Sequence, residues 1–280
     1  MKKVLRVLLL VIMLVPGFAS AHQPRVVASR HTIVTEPEVS KAYYGQLTGV
    51  PDVYTIQAST AFDLYVNVLV PYSVDQKKDV SATIVKDGKP LATLDGTQFA
   101  WTKMFEPFGY DTYWKGPEYK AQVDAGTYTI SVTSSNNTSK YSLAIGEAEN
   151  FDFAEVMNAL TLVPQLKSTF FNESPISFIL SPFGWGLILT LFALAAIVGL
   201  ICRFIGMHVG KNSLHGTSKN IGTTDRIIRL AVGATLLLWA ITTSWSLSII
   251  FLSGFAFFEA LFSWSGLYAA VGKNTYRVRQ

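Results

Sequence analysis

The run FDLYVNVLV, Phe62 to Val70, alternates with period two. Phe62, Leu64, Val66, Val68 and Val70 fall on one side; Asp63, Tyr65, Asn67 and Leu69 fall on the other. Such alternation puts one set of side chains on one face of a strand, so the run reads as a half-buried strand. The pattern extends outward from about Thr32 to Ile145. Tyr128, Ile130 and Val132 alternate with threonines and Ser131, and Tyr141, Leu143 and Ile145 do so again. Asp87-Gly88 separates Ala82-Thr83-Ile84-Val85 from Leu91-Ala92-Thr93-Leu94 and has the composition of a tight hairpin turn, because glycine tolerates positive φ. Asn136-Asn137 is expected to turn the last hairpin. Short strands broken by turn residues predict an antiparallel β-sandwich or jelly roll over residues 22–149.

Composition sets what surrounds this sandwich. Half of the 280 residues are hydrophobic and only 15% are charged, which is too apolar for an ordinary soluble protein and points to membrane spans. The net charge of +4 is split. His22 to Pro175 holds 12 Lys and Arg against 17 Asp and Glu, while Ile176 to Gln280 holds 8 against 2. The basic excess belongs to the apolar half, so it reports topology and excludes a nucleic-acid partner. The one cysteine, Cys202, lies in that half. The sandwich therefore has no internal disulfide, thiolate metal site or cysteine nucleophile.

Lys2, Lys3 and Arg6 precede a short apolar run, Val7 to Val15, and Ala19-Ser20-Ala21 supplies small residues for cleavage. Residues 1–21 read as a secretory signal, too short to span ~30 Å of hydrocarbon, so the mature chain is expected to begin at His22 outside the cytoplasm. Residues 150–175 change to helical spacing and are expected to form one or two short amphipathic helices at the membrane surface, interrupted at Pro164; a plain linker packed on the sandwich is the other reading. Phe183 to Cys202 is twenty residues without a charge, enough for one span (176–203). Leu230 to Phe258 is twenty-nine, about 43 Å as helix, and should fold back as a hairpin of a second span (226–243) and a third (247–271). Three transmembrane helices place the loop 204–225 and the tail 272–280 on the cytoplasmic side of a bacterial inner membrane, since Arg203 to Arg229 and the tail hold all eight basic residues of the apolar half.

KNIGTTDRIIRLAVGATLL (Lys219 to Leu237), followed by FFEALFSWSGLYAAVGKNT (Phe257 to Thr275), resembles the small YgaP-like inner-membrane domain. The matching positions are Asn220, Gly222, Asp225, Arg226, Arg229, Gly233, Leu267, Tyr268, Gly272, Asn274 and Thr275. Ser265-Gly266 stands where that family has Cys-Pro, so no role of that thiol carries over. The resemblance implies a helical hairpin that can self-associate in the bilayer; it implies no activity. The segment Ala125 to Gly146 resembles the closing strands of pre-peptidase C-terminal domains, appendages that bind or assist.

No catalytic constellation is found. Three sets of residues are candidates for function. The first is the stretch WTKMFEPFGYDTYWKGPEYK, whose Trp101, Phe105, Phe108, Tyr110, Tyr113, Trp114 and Tyr119 break the alternation and read as a long loop. Aromatic faces there can stack on a ligand while Glu106, Asp111 and Glu118 fix polar groups or Ca²⁺; equally, the rings can serve as core. The second is His22, whose imidazole and free α-amine can chelate Cu(II), with His31 completing the site. The third is Glu259, read as lying in the middle of the third span, where a carboxyl is costly; it can be hydrogen-bonded glue to Ser253, Ser263 or Thr235, or part of an ion path. Asn220, Gly222, Asp225, Arg226 and Arg229 read as a membrane-insertion motif, with Thr223 or Thr224 as cap and the arginines reaching headgroups. The leading expectation is a membrane-anchored binding or accessory protein for an unidentified extracytoplasmic ligand or protein. Copper handling and ion transport are the alternatives.

Overall fold

The computed structural model of the chain describes residues 22–73, 76–209 and 219–276. The expected signal segment 1–21 and residues 210–218 and 277–280 of the expected cytoplasmic loop and tail lie outside the described residues. The chain forms two compact units that meet between Ser181 and Pro182.

The first unit is the sandwich. Its strands are β1 (Gln23–Val26), β2 (His31–Ile33), β3 (Lys41–Gln46), β4 (Asp52–Ala58), β5 (Phe62–Pro71), β6 (Ser81–Lys86), β7 (Lys89–Leu94), β8 (Thr102–Glu106), β9 (Asp111–Val123), β10 (Gly126–Thr133) and β11 (Lys140–Ile145). Six of them form one sheet in the order β1-β3-β11-β5-β9-β8, and five form the other in the order β2-β4-β10-β6-β7. Pairing is antiparallel except at two edges, where β1 runs parallel to β3 and β2 parallel to β4. The alternating residues behave as the sequence predicts: Leu64, Val66, Val68 and Val70 from β5, Tyr128, Ile130 and Val132 from β10, and Tyr141, Leu143 and Ile145 from β11 are wholly buried in one core. The buried tyrosine tips are satisfied, with Tyr54 and Tyr141 hydroxyls 2.8 Å apart and Tyr141 donating to Asp52 Oδ2 at 2.7 Å. Asp87 and Gly88 turn the β6–β7 hairpin with φ of 47° and 78°, as a two-residue turn of this hand requires.

Two strand readings need correction. β10 and β11 are not a hairpin: β10 pairs with β4 and β6, β11 with β3 and β5, so Asn136-Asn137 carries the chain from one sheet to the other. Inward alternation is the same whether two strands sit side by side or face each other across a core. The aromatic stretch 101–120 is likewise no long loop. It is the β8–β9 hairpin at the edge of the six-stranded sheet, turned at residues 107–110, with Tyr110 at φ 60°.

The six-stranded sheet is covered on its outer face too. Helix α1 (Phe153–Thr169) begins at Asp152, whose side chain accepts from Glu155 N, and runs unbroken through Pro164. Its Leu166, with the following Phe170 and Phe171, packs on Leu69, Tyr113 and Ala144 of the sheet. Both ends are fastened. Arg25 on β1 makes two bonds to the Glu155 carboxylate, at 2.8 and 2.5 Å, and Lys140 on β11 donates to the terminal carbonyls of Thr169 and Phe170 at 2.7 and 3.1 Å. Of the two readings of residues 150–175, the helix is thus packed on the sandwich. A 3₁₀ helix, Pro175–Leu180, completes the unit.

The second unit consists of α2 (Pro182–Val209), α3 (Thr223–Thr243), α4 (Leu247–Phe262) and α5 (Gly266–Val271). Two of these, α2 and α3, are long and apolar enough to cross a membrane, with mean hydropathies of 2.5 and 1.4. The expected third span over 247–271 is broken in two. Ser263 enters the left-handed region at φ 54°, and Trp264 N bonds back to the Glu259 carbonyl, which ends α4 after sixteen residues, or about 24 Å.

Candidate functional site

The outer face of the six-stranded sheet contains a hollow, and its cause is local. Ala42 on β3 pairs with Ala144 on β11, and Ala144 pairs with Asn67 on β5; one step along, Ser142 lies between Tyr44 and Leu69. Ala42, Ala144 and Ser142 are small, whereas their flanking neighbours Tyr44, Tyr65 and Tyr113 are large. Small side chains in the centre with tall ones around them leave a pit that α1 bridges, with Val163 and Leu166 on its lining. The result is a cavity of about 250 Å³, floored by Ala42, Asn67, Ser142 and Ala144, walled by the tyrosines, Met104 and Lys115, and closed by the β8–β9 turn, Val163 and Leu166.

The turn over this cavity is built from charge. Glu106 accepts from the backbone N–H groups of Phe108 and Gly109 at 2.6 and 2.8 Å, fixing the chain reversal. Asp111 receives Lys167 Nζ at 2.6 Å, and the same ammonium donates to the Tyr110 carbonyl at 3.0 Å. Lys167 is fully buried and the Asp111 side chain is 5% exposed, so this pair ties the turn to α1 out of reach of water. Burial pushes the Asp111 carboxyl up to about 7 against the pull of Lys167. Burial also raises Glu106. At the back wall the Tyr44 and Tyr113 hydroxyls are 2.8 Å apart, and burial holds both well above the ordinary phenol range.

The seven aromatics of the hairpin divide between the two faces of the sheet, and a register shift in β9 between Lys115 and Glu118 puts Tyr119 on the same side as Trp114. Trp101, Trp114 and Tyr119 turn inward and pack against the main core. Trp101 lies over Gly116, where a Cβ would strike its ring, and its indole N–H donates to the Gly96 carbonyl at 2.7 Å. Tyr113 and Phe108 line the cavity. Phe105 also lines it but is 51% exposed, and it meets the exposed Tyr110 edge to face, with centroids 5.1 Å apart. Of the carboxylates expected to hold Ca²⁺, Glu106 and Asp111 lie together at the β8–β9 turn but are engaged by backbone N–H groups and by Lys167, while Glu118 is held by Lys115 at 2.9 Å and by Tyr65 at 2.9 Å.

His22 and His31 are not brought into one site. His22 lines the cavity beside β1, where burial lowers its imidazole below the usual value, while His31 begins β2 in the other sheet. Among the described residues, no group of three or more His, Cys, Asp and Glu side chains is placed to hold a metal ion.

Glu259 lies near the C-terminal end of α4 rather than in the middle of a span. Its Oε2 accepts from Arg229 Nε at 2.8 Å, and Arg229 also donates to Ser265 Oγ at 3.2 Å. Arg229, expected at headgroups, is thus paired with a carboxylate across the hairpin. Arg226 donates to the Ala260 carbonyl at 2.8 Å. Asn220 clasps the Ser265 backbone, accepting its N–H at 2.7 Å and donating to its carbonyl at 2.8 Å. Thr275 donates to Asp225. Helix α3 starts at Gly222 with no side-chain cap, so Thr223 and Thr224 do not cap it. The motif residues therefore stitch the polar ends of α3, α4 and α5 together.

Sequence reasoning missed Ala42, Asn67, Ser142, Ala144 and Lys167. A signal was present: KYSLAI in β11 is buried on both faces, so its outward residues are as small and apolar as a covered face demands.

A β-sandwich covered by a helix and joined to apolar helices defines a membrane protein with a folded β domain. Residues 217–279 match the family described as inner membrane protein YgaP-like, transmembrane domain. Comparison with curated proteins gives no match. Among solved structures, the sandwich is similar to the pre-peptidase C-terminal domain of a collagenase from Bacillus anthracis, at 13% identity and TM-score 0.26, covering 46% of this chain and 98% of that one. It is also similar to a family 35 carbohydrate-binding module from an environmental isolate, at 15% identity and TM-score 0.22, covering 38% and 75%. A third is the family 35 module of Cellvibrio japonicus Abf62, at 12% identity and TM-score 0.23, covering 38% and 74%. At these scores the structural matches carry no argument about function.

Proposed function

We propose that the protein is a membrane-anchored binding protein whose ligand enters the cavity between the six-stranded sheet and α1. The sandwich lies outside the cytoplasm behind a cleaved signal. The helical unit anchors it through α2, α3 and the α4–α5 segment, which together give three crossings with the basic loop and tail inside. One observation carries the reading: a pit of about 250 Å³ on a sheet face that a helix has otherwise sealed. Covered faces of folded proteins normally pack without voids, and an apolar cavity with a few convergent polar groups is the usual form of a small-molecule site.

Filling the pit tests this. Ala144→Leu adds bulk at the floor without adding charge. Full-length protein in lipid nanodiscs is screened against a small-molecule library by thermal shift, wild type beside the variant. Hits that stabilise the wild type and lose their effect in Ala144→Leu support the reading. Hits unaffected by the substitution, or no hits, refute it. Reporter fusions after residue 175 and after residue 276 check the topology, which requires opposite sides of the membrane.

A further inference from the structure

The polar atoms in and around the cavity limit what it can hold. The charged groups that line it are already engaged within the protein: Asp111 by Lys167, Glu106 by two backbone N–H groups, Lys115 by Glu118. His22 also lines the cavity, and burial lowers its imidazole toward the neutral form, so a charged ligand would meet no unpaired side-chain counter-charge and would have to shed its water without compensation, which is costly.

Two atoms on the floor are in the opposite condition. Asn67 and Ser142 are 2% and 1% exposed. The Asn67 amide NH₂ donates to the Gly116 and Pro117 carbonyls, both at 3.1 Å, and two carbonyl partners fix which end of the amide is nitrogen. Its Oδ1 accepts no hydrogen bond among the described residues, and neither does Ser142 Oγ make one. Both residues line the cavity, and their strands hold them side by side, since Asn67 pairs with Ala144 and Ser142 pairs with Leu69. Polar atoms that face a cavity and have no partner within the protein are open to a guest, so these two mark where a ligand's polar group belongs.

Size supplies the rest. An apolar cavity of roughly 150 Å³ accepts benzene. A pit of about 250 Å³ is large enough for a ring with one or two substituents. We infer that the site takes a small, uncharged ring compound that lies against the tyrosine walls, gives a hydroxyl or amide N–H to Asn67 Oδ1 and takes or completes a second hydrogen bond at Ser142 Oγ. This rests on the cavity being the binding site.

Three probes of one shape separate the two ideas. p-Cresol has a ring and a donor, toluene has the ring without the donor, and p-toluate carries a negative charge in its place. Each is titrated at millimolar concentration against full-length protein in nanodiscs by saturation-transfer NMR, with empty nanodiscs subtracted. The wild type, Ser142→Ala and Ala144→Leu are compared. The expected result is p-cresol binding about tenfold tighter than toluene, no binding of p-toluate, a severalfold loss for p-cresol alone in Ser142→Ala, and loss of all binding in Ala144→Leu. Toluene matching p-cresol, or p-toluate binding best, with both abolished by Ala144→Leu, would overturn the donor inference and leave the cavity as the site. Binding that Ala144→Leu does not touch, or none by any probe, overturns both.

Discussion

The buried pair Asp111–Lys167 makes a pH dependence that runs against the usual direction for a carboxylate. An Asp paired with a lysine at the surface is normally pulled down. Here burial wins, and the folded carboxyl sits at about 7 against 3.8 for the free side chain. The folded state therefore holds more protons than the unfolded chain between those limits, and stability falls as pH rises through the window. The contribution is full below about 3.8 and gone above about 7. From pH 5 to 7 that is roughly two units, on the order of 2–3 kcal/mol. The side chain is 5% exposed, so no allowance for solvent screening is needed. For a domain of this size the change corresponds to roughly 5–10 °C in Tm. Asp111→Asn keeps the shape and removes the titration. Heat unfolding in nanodiscs, followed through Trp101 and Trp114 emission, should show the wild type losing roughly that much between pH 5 and pH 8 relative to Asp111→Asn. Glu106 is shifted in the same direction and raises Asp111 through its charge, so the difference between the two proteins reports Asp111 together with its coupling to Glu106. Parallel pH profiles, or a wild type that gains on the variant as pH rises, would refute the assignment of burial as the dominant cause.

Two further predictions concern the helical unit. Glu259→Ala strands Arg229 and should destabilise the hairpin by about 3–5 kcal/mol, whereas the double change Arg229→Met with Glu259→Met should recover most of that loss; thermal or proteolytic stability of the membrane-embedded part reads the non-additivity. Gly222→Ala should loosen the tail, because a Cβ there collides with the Thr275 carbonyl, and faster exchange of the Thr275 and Gly222 amides would register it.

How much of this was legible beforehand depends on whether the information is local. The core of the sandwich follows from period-two alternation, because a strand exposes its register residue by residue. Asp87-Gly88 turned as expected because positive φ is a property of the residues themselves. The Asn220 to Arg229 motif is visible in the sequence, but the pairing of Arg229 with Glu259 is not, since nothing in a linear pattern says that the two, thirty residues apart, lie opposite each other. The aromatic stretch misled because its alternation serves two covered faces. Trp101 and Trp114 fill one, while Tyr113 fills the other.

The sequence by itself determined that a β-sandwich precedes apolar helices, which residues form its inner core, and where the chain carries positive charge. Those follow from side-chain periodicity and composition, which act over a few residues at a time. The tertiary structure decided that α1 covers the sheet, that Ala42, Ser142 and Ala144 open a pit beneath it, and that Lys167 reaches Asp111 across fifty-six residues of sequence. A cavity is the difference between the volumes of neighbours on separate strands, and a buried ion pair is a matter of which surfaces meet, so neither exists until the chain has folded.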